Sequence, residues 1–158
     1  MAAAAAERLF PSYEAFSQED WGEPQVLRRG LDAVWEAADA DPDAGALAAV
    51  RQEIERVAPD NTGNVSWKSR WSSDALDAAI AVAQAADAAP DPTVENAAAP
   101  AQTELEVVLA NAEPEDTATE RALSLFAADL EVLLGGEPAE TIRKSARTNS
   151  VVERVRDL

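Results

Sequence analysis

The 158-residue chain carries 30 acidic against 13 basic side chains, a formal net charge of −17, so nucleic-acid binding through phosphates is not expected of it. It contains neither His nor Cys, which removes Ser-His-Asp and Cys-His catalysis, His-based metal sites, a His pH switch, disulfides and thiol chemistry. Ala supplies much of the 47% apolar content and Gly is scarce, so composition favours an all-α fold with enough chain for one domain and a real core.

Glu7 to Trp35 anchors the packing, since it holds two of the four Trp, the only Tyr and two of the three Phe, and rings bury the most area per residue. Ala2 to Phe10 predicts a short helix, marginal unless docked. Pro11 ends it or opens a second turn, with Tyr13 and Phe16 one turn apart. Trp21 to Pro24 is a connection, and Pro24 suits a first helical position. From Gln25 to Ala38, the residues Leu27, Leu31, Val34, Trp35 and Ala38 recur at helical spacing, with Arg28, Arg29, Asp32 and Glu36 mostly off the stripe. Gly30 costs that helix about 1 kcal/mol against Ala, either for a close helix crossing or as a tolerated defect.

Asp39 to Gly45 is an acidic turn. Its Asp-x-Asp-x-Asp run resembles the start of a calcium loop, but Ala44 and Val50 stand where Gly and the bidentate Glu belong. A helix N-cap is the better reading. Leu47, Val50, Ile54 and Val57 then mark a helix that ends at Pro59. Asp60 to Ser66 is a polar loop with an Asn64-Val65-Ser66 sequon, irrelevant in a cytosolic protein. Trp67 and Trp71 share a face if their segment is helical. Ser72 or Ser73 caps a helix reaching about Ala89, striped by Leu76, Ala79, Ile80, Ala83 and Ala86.

Between Pro90 and Pro100 a helix can start at Pro92, with Pro100 kinking or dividing it. Leu105, Val108 and Leu109 predict the helix that follows. Glu113 to Thr119 reads as a turn. Leu123, Phe126, Leu130, Leu133 and Leu134 form the strongest apolar stripe in the chain, stopped by Gly135-Gly136. A last helix from near Pro138 carries Ile142, Arg143, Lys144 and Arg147, before an apolar tail of Val151, Val152, Val155 and Leu158.

From Trp71 to Glu120 there are eleven acidic residues and no basic one, and five of the 13 bases fall after Ile142. The basic end is expected to cover part of the acidic middle; contact with another subunit is the alternative. The acidity itself fits a surface adapted to a salty cytoplasm, a surface shaped for a basic partner or mimicking nucleic acid, or plain solubility. Abundant Asp, Glu and Ala with scarce Lys favours the first.

Carboxylates are the remaining acid-base groups. Asp74 and Asp77, three apart, could share a proton or hold a divalent ion; a first-turn Asp74 with Asp77 bonded to a nearby Arg or Trp is the plainer reading. Glu7, Arg8, Arg28, Arg29 and Asp32 are expected to form a partly buried ion network around the rings, and the Trp35 indole has Asp32 within reach.

Glu7-Arg8-x-x-Pro11-x-Tyr13-x-x-Phe16, Gly22, Leu27-Arg28-Arg29-x-Leu31-Asp32-x-x-Trp35-Glu36 and Ala75-x-Asp77-Ala78 resemble the YjaG-like proteins, the family called domain of unknown function 416. The likeness is good over about residues 5 to 88, faint from Asp91 to Ala112 and partial from Arg121 onward. It implies a small all-helical cytoplasmic protein with no assigned biochemical role. Relatives usually carry an additional helix before the Glu-Arg pair, where only Met1 to Ala6 stand here, so a shortened version or a different start is expected.

The sequence therefore predicts a single all-α domain, an irregular antiparallel bundle of about six or seven helices. Residues 1–112 hold the motif-bearing helices, and 113–158 a helical part with a basic tail. The expected core is Leu9, Phe16, Leu31, Val34, Trp35, Val50, Ile54, Leu76, Ile80, Leu105, Val108, Leu123, Phe126 and Leu130. The expected structural or interaction cluster is Glu7, Arg8, Tyr13, Arg28, Asp32, Trp35 and Asp77. No catalytic, cofactor or metal residue is assigned. No run approaches the roughly 18 apolar residues of a membrane span, so a cytoplasmic location is expected. An interaction or regulatory module is the first functional reading, with an unknown protein partner or a homodimer open. A carboxylate-based metal enzyme and an acidic immunity-type or nucleic-acid-mimicking protein are the alternatives.

Overall fold

The computed structural model describes residues 2–39, 43–60, 66–91, 93–111, 115–136 and 138–149. These form seven α-helices: α1 (Ala2–Glu19), α2 (Pro24–Asp39), α3 (Ala44–Val57), α4 (Ser72–Ala88), α5 (Val94–Asn111), α6 (Glu115–Leu134) and α7 (Ala139–Thr148). No strand occurs among the described residues.

The fold is organised around α1. It packs most extensively on α4, and also on α5, α7 and α2. The sequence predicts a short helix ended or restarted by Pro11; instead α1 runs unbroken through Pro11. Pro11 can donate no backbone bond to the preceding turn, a cost that tertiary contact has to offset. That contact is close because the residues are small. Ala3 to Ala6 are buried on α1, and Ala75, Ala78, Ala79, Ala81, Ala85 and Ala86 are buried on α4. Each Ala removes little apolar area, at about 25 cal/mol per Å², but lets two backbones approach and raises contact density.

Gly30 settles its two readings in favour of a close crossing. A Cβ there would stand 2.9 Å from Ile54 Cδ1 and 3.2 Å from Val82 Cγ1, so its absence lets α2 lie against both α3 and α4. Asp43 is the N-cap of α3, its Oδ1 accepting from the Gly45 and Ala46 amides at 2.9 and 3.1 Å. Ser72 and Ser73 do not cap α4. Trp71 occupies the N-cap position with no side-chain cap bond, and Asp20 instead accepts from the Lys68 amide at 2.6 Å. The two tryptophans also part company. Trp67 precedes the helix, stacks on Trp21 and meets Phe16 edge-on at 5.3 Å, while Trp71 is buried beneath Arg70.

Pro100 lies inside α5 without dividing it. Of the turn expected over Glu113 to Thr119, residues 115–119 are instead the first residues of α6, and Gly136 ends that helix region at φ 73°. Residues 40–42 of the acidic turn, Asn64 and Val65 of the sequon, and the tail from Ser150 lie outside the described residues.

Helix α6 departs furthest from its sequence pattern. Its stripe predicts a place in the core, yet Leu123, Leu130, Leu133 and Leu134 are 55%, 48%, 44% and 87% exposed. Ile80 is exposed too, and Val50, Leu76, Leu105 and Phe126 are half-buried. Helix α6 packs on α5 and α7, and α1 reaches it through the Arg8 side chain. Against α5, Ala122 and Val108 are buried and Leu105 and Phe126 close around them.

Candidate functional site

Glu7 and Arg8 are neighbours on α1, so their side chains leave the helix about 100° apart and serve two different interfaces. Both are almost fully buried. Glu7 faces α2 and α7. Its Oε2 accepts from the Trp35 indole N–H at 3.0 Å, and its other oxygen pairs with Arg28 and, at 3.1 Å, with Arg147. Arg28 also lies over the Phe10 ring, 3.9 Å from its centroid. Asp32 extends the cluster by pairing with Arg143 and, at 3.4 Å, with Arg147. The indole partner is therefore Glu7, not Asp32. Arg143 and Arg147 of α7 are taken up by Glu7 and Asp32 and do not cover the acidic middle of the chain.

Arg8 faces the other way. Its Nε and Nη2 grip both oxygens of Glu104 on α5 at 2.6 and 3.0 Å, and its Nη1 donates to Asp129 on α6 at 2.9 Å. Burial alone would lower the Arg8 pKa, but the bonds and charges of Glu104 and Asp129 raise it. Burial pushes the Glu104 carboxyl up to about 7, against the opposing pull of Arg8, and the charge of Asp129 adds to the rise. Two carboxylates facing one guanidinium in a dry site explain this, because full ionisation leaves an excess negative charge out of water.

Tyr13 closes the N-terminal half. Its hydroxyl donates to the Val57 carbonyl at 2.6 Å and accepts from the Glu23 amide at 3.3 Å, tying α1 to the end of α3 and to the start of α2. Asp77 is not part of this assembly. It lies on α4, its pKa raised by burial and by the carboxylates of Asp74 and Glu106, with no Arg among these influences. Among the described residues, no group of three or more carboxylates is arranged to hold a metal ion.

The structure thus brings together Glu7, Arg28, Asp32 and Trp35, places Arg8 on the opposite interface, sets Tyr13 one turn beyond, and leaves Asp77 apart. Sequence reasoning missed Glu104 and Asp129 as the partners of Arg8, and Arg143 and Arg147 as those of Asp32 and Glu7. Asp129 carried a readable signal: it falls at helical spacing with Ala122, Phe126 and Val132, a carboxylate among the apolar residues of one side of the helix.

Outside these clusters, a small hollow of about 220 Å³ lies between α3 and α4, lined by Ile54, Ala79, Ile80 and Ala83 and rimmed by the Arg51–Asp87 ion pair. It falls below the usual range of ligand pockets, roughly 300–1,000 Å³.

Residues 1–131 match the family described as "Protein of unknown function (DUF416)". The chain belongs to the DUF416 family. The crystal structure of a DUF416 family protein from Shewanella baltica OS155 is similar, with a TM-score of 0.58 at 16% sequence identity, covering 99% of this chain and 83% of that one. At that identity the likeness speaks for the fold alone. No curated protein matches the chain. In this DUF416 chain the motif residues Glu7, Arg8, Tyr13, Arg28 and Trp35 all make contacts between helices. No described helix is long and apolar enough to cross a membrane.

Proposed function

We propose that this DUF416 chain is a non-catalytic helical interaction module of the cytoplasm. The observation that carries the reading is the outward face of α6, where Leu123, Leu130, Leu133 and Leu134 are exposed. Large apolar side chains grouped on one helix of a charged protein mark a surface that another molecule covers. The motif residues support the same reading from the opposite direction, because their charges and ring N–H are spent on internal bonds. They build a scaffold that presents α6, and the net charge of −17 directs that surface away from phosphates.

Affinity capture from the native host with the wild-type chain and with Leu130→Glu tests the proposal. The wild type retains a specific partner, itself included, and the variant loses it. Equal capture by both would discard the α6 reading. Titration with magnesium, calcium and manganese tests the rival class: tight stoichiometric binding that Asp77→Ala abolishes would replace the module by a carboxylate-based metal protein.

A further inference from the structure

We infer that the face presented by α6 is covered by α6 of a second copy of the same chain, packed antiparallel about a two-fold axis. The inference rests on the module reading and names its partner.

Residues 123, 127, 130 and 134 are spaced four, three and four apart, so they fall in one line along an α-helix. In this chain the line is Leu123, Ala127, Leu130 and Leu134, all four exposed. The line is its own complement when reversed. With the axis midway between positions 128 and 129, Leu123 of one copy meets Leu134 of the other. Ala127 meets Leu130, a small side chain receiving a large one. An isologous contact requires such self-matching, and here the side-chain sizes supply it as well as the spacing.

The flanks agree. In an antiparallel two-fold pair, like flanks face each other. One flank carries Phe126 and Leu133, which come opposite Leu133 and Phe126 of the second copy. The other carries Ser124 and Glu131, so each Glu131 lies across from a serine hydroxyl and not from another carboxylate. Asp129, nearest the axis in sequence, is turned inward onto Arg8 and keeps its charge out of the seam. The line is free of charge from Leu123 to Leu134, with the exposed Glu120 one turn earlier at its rim, and this matters in a chain of net charge −17, because a carboxylate within the contact would be buried against an equally acidic copy.

The contact is modest. Helix α6 spans 20 residues, and the apolar line occupies little more than its second half. One such helix pair buries less than the roughly 800 Å² per partner of a standard interface, so association is reversible and concentration-dependent. Two negatively charged copies also repel through solvent, and salt weakens that repulsion beyond a Debye length, so the dimer grows with ionic strength. The other available occupant is the apolar segment of Val151, Val152, Val155 and Leu158 from the same chain.

The chain has no Cys, which permits a clean cross-linking test. In the full-length double variant Leu123→Cys/Leu134→Cys the thiols lie about three turns apart within one helix and cannot bridge internally, yet they meet across the inferred axis. Mild oxidation should convert this variant to a covalent dimer, while each single variant stays monomeric. Sedimentation equilibrium on the wild type should show a dimer that strengthens from dilute to molar potassium chloride. Ala127→Glu, at an exposed position, should weaken association at least about tenfold with helicity unchanged. A wild type that sediments as a monomer at every salt and concentration overturns the inference, as do single-Cys variants that cross-link as readily as the double. If the apolar tail covers α6 instead, Leu130→Cys and Val155→Cys placed in one chain should cross-link within a monomer, and that result too overturns the inference. A monomeric wild type whose captured partner is still lost on Leu130→Glu overturns the homodimer alone and leaves the module reading standing.

Discussion

At the residue scale the buried charges decide most. Arg8 bridges Glu104 and Asp129, so Arg8→Met strands two carboxylates in a dry site. Removing one partner of a buried ion cluster costs about 3–5 kcal/mol, and denaturant unfolding should show a loss of that size. Glu104 adds a pH dependence with a definite sign. Its folded pKa of about 7 lies above its ordinary 4.5, so between these values the folded chain holds a proton that the unfolded chain has released. Stability from this group is complete below 4.5, declines as pH rises toward 7 and is lost above it, a swing on the order of 3 kcal/mol. The charged groups facing Glu104 are Arg8 from α1 and Asp129 from α6. Unfolding free energies measured across this range should fall with rising pH, and Glu104→Gln should flatten the slope; an unchanged slope would mean that another group titrates. Trp35 combines ring burial with a bond to Glu7. Trp35→Ala should cost about 3–5 kcal/mol by denaturant unfolding, as a large-to-small core change does.

At the element scale, periodicity located helices better than it assigned their faces. Helices α2 and α3 followed their stripes closely, because Leu27, Leu31, Val34 and Trp35 and then Leu47, Ile54 and Val57 meet neighbouring helices. Helix α1 was harder to read, since Pro11 argues locally for a break and only the surrounding helices compensate for it. Helix α6 exposes the limit from the other side: an apolar stripe says which face avoids water, not whether the same chain supplies the cover. The candidate cluster was legible where partners lie one or two turns apart or share the motif. Its long-range bonds, from Arg8 to positions 104 and 129, join residues whose separation leaves no local spacing to detect. Gly30 is the place to test how tightly the helices cross. Gly30→Leu fills the space now taken by Ile54 and Val82 and should cost about 1–3 kcal/mol through overpacking, even though Leu is the better helix former. A neutral or stabilising effect in thermal unfolding would show that α2 does not depend on the close crossing.

At the scale of the whole molecule the charge of −17 outweighs every local feature. Ion pairing does not reduce it, since the 13 bases are already counted against the 30 acids: Glu7, Glu104 and Asp129 are matched inside the fold, Asp32 at its edge, and Arg51 and Arg56 each engage carboxylates on the surface. The long acidic run from Trp71 to Glu120 contains no base of its own. In dilute buffer the unmatched carboxylates repel one another and oppose the compact state. Salt shortens the Debye length from about 10 Å at 0.1 M to about 3 Å at 1 M, so this penalty fades. If the surface is adapted to a salty interior, the melting temperature should climb steadily from low to molar potassium chloride, and no particular anion is needed. If it exists to hold a basic partner, the isolated fold should tolerate low salt, and its complex should weaken as salt rises. Because association through α6 would also stabilise the fold as salt is added, the series belongs on Ala127→Glu as well as on the wild type. A rise shared by both reports surface repulsion, and a rise confined to the wild type reports the dimer. A flat or falling curve in both removes the salt-adapted reading and leaves a basic partner as the better account of the charge.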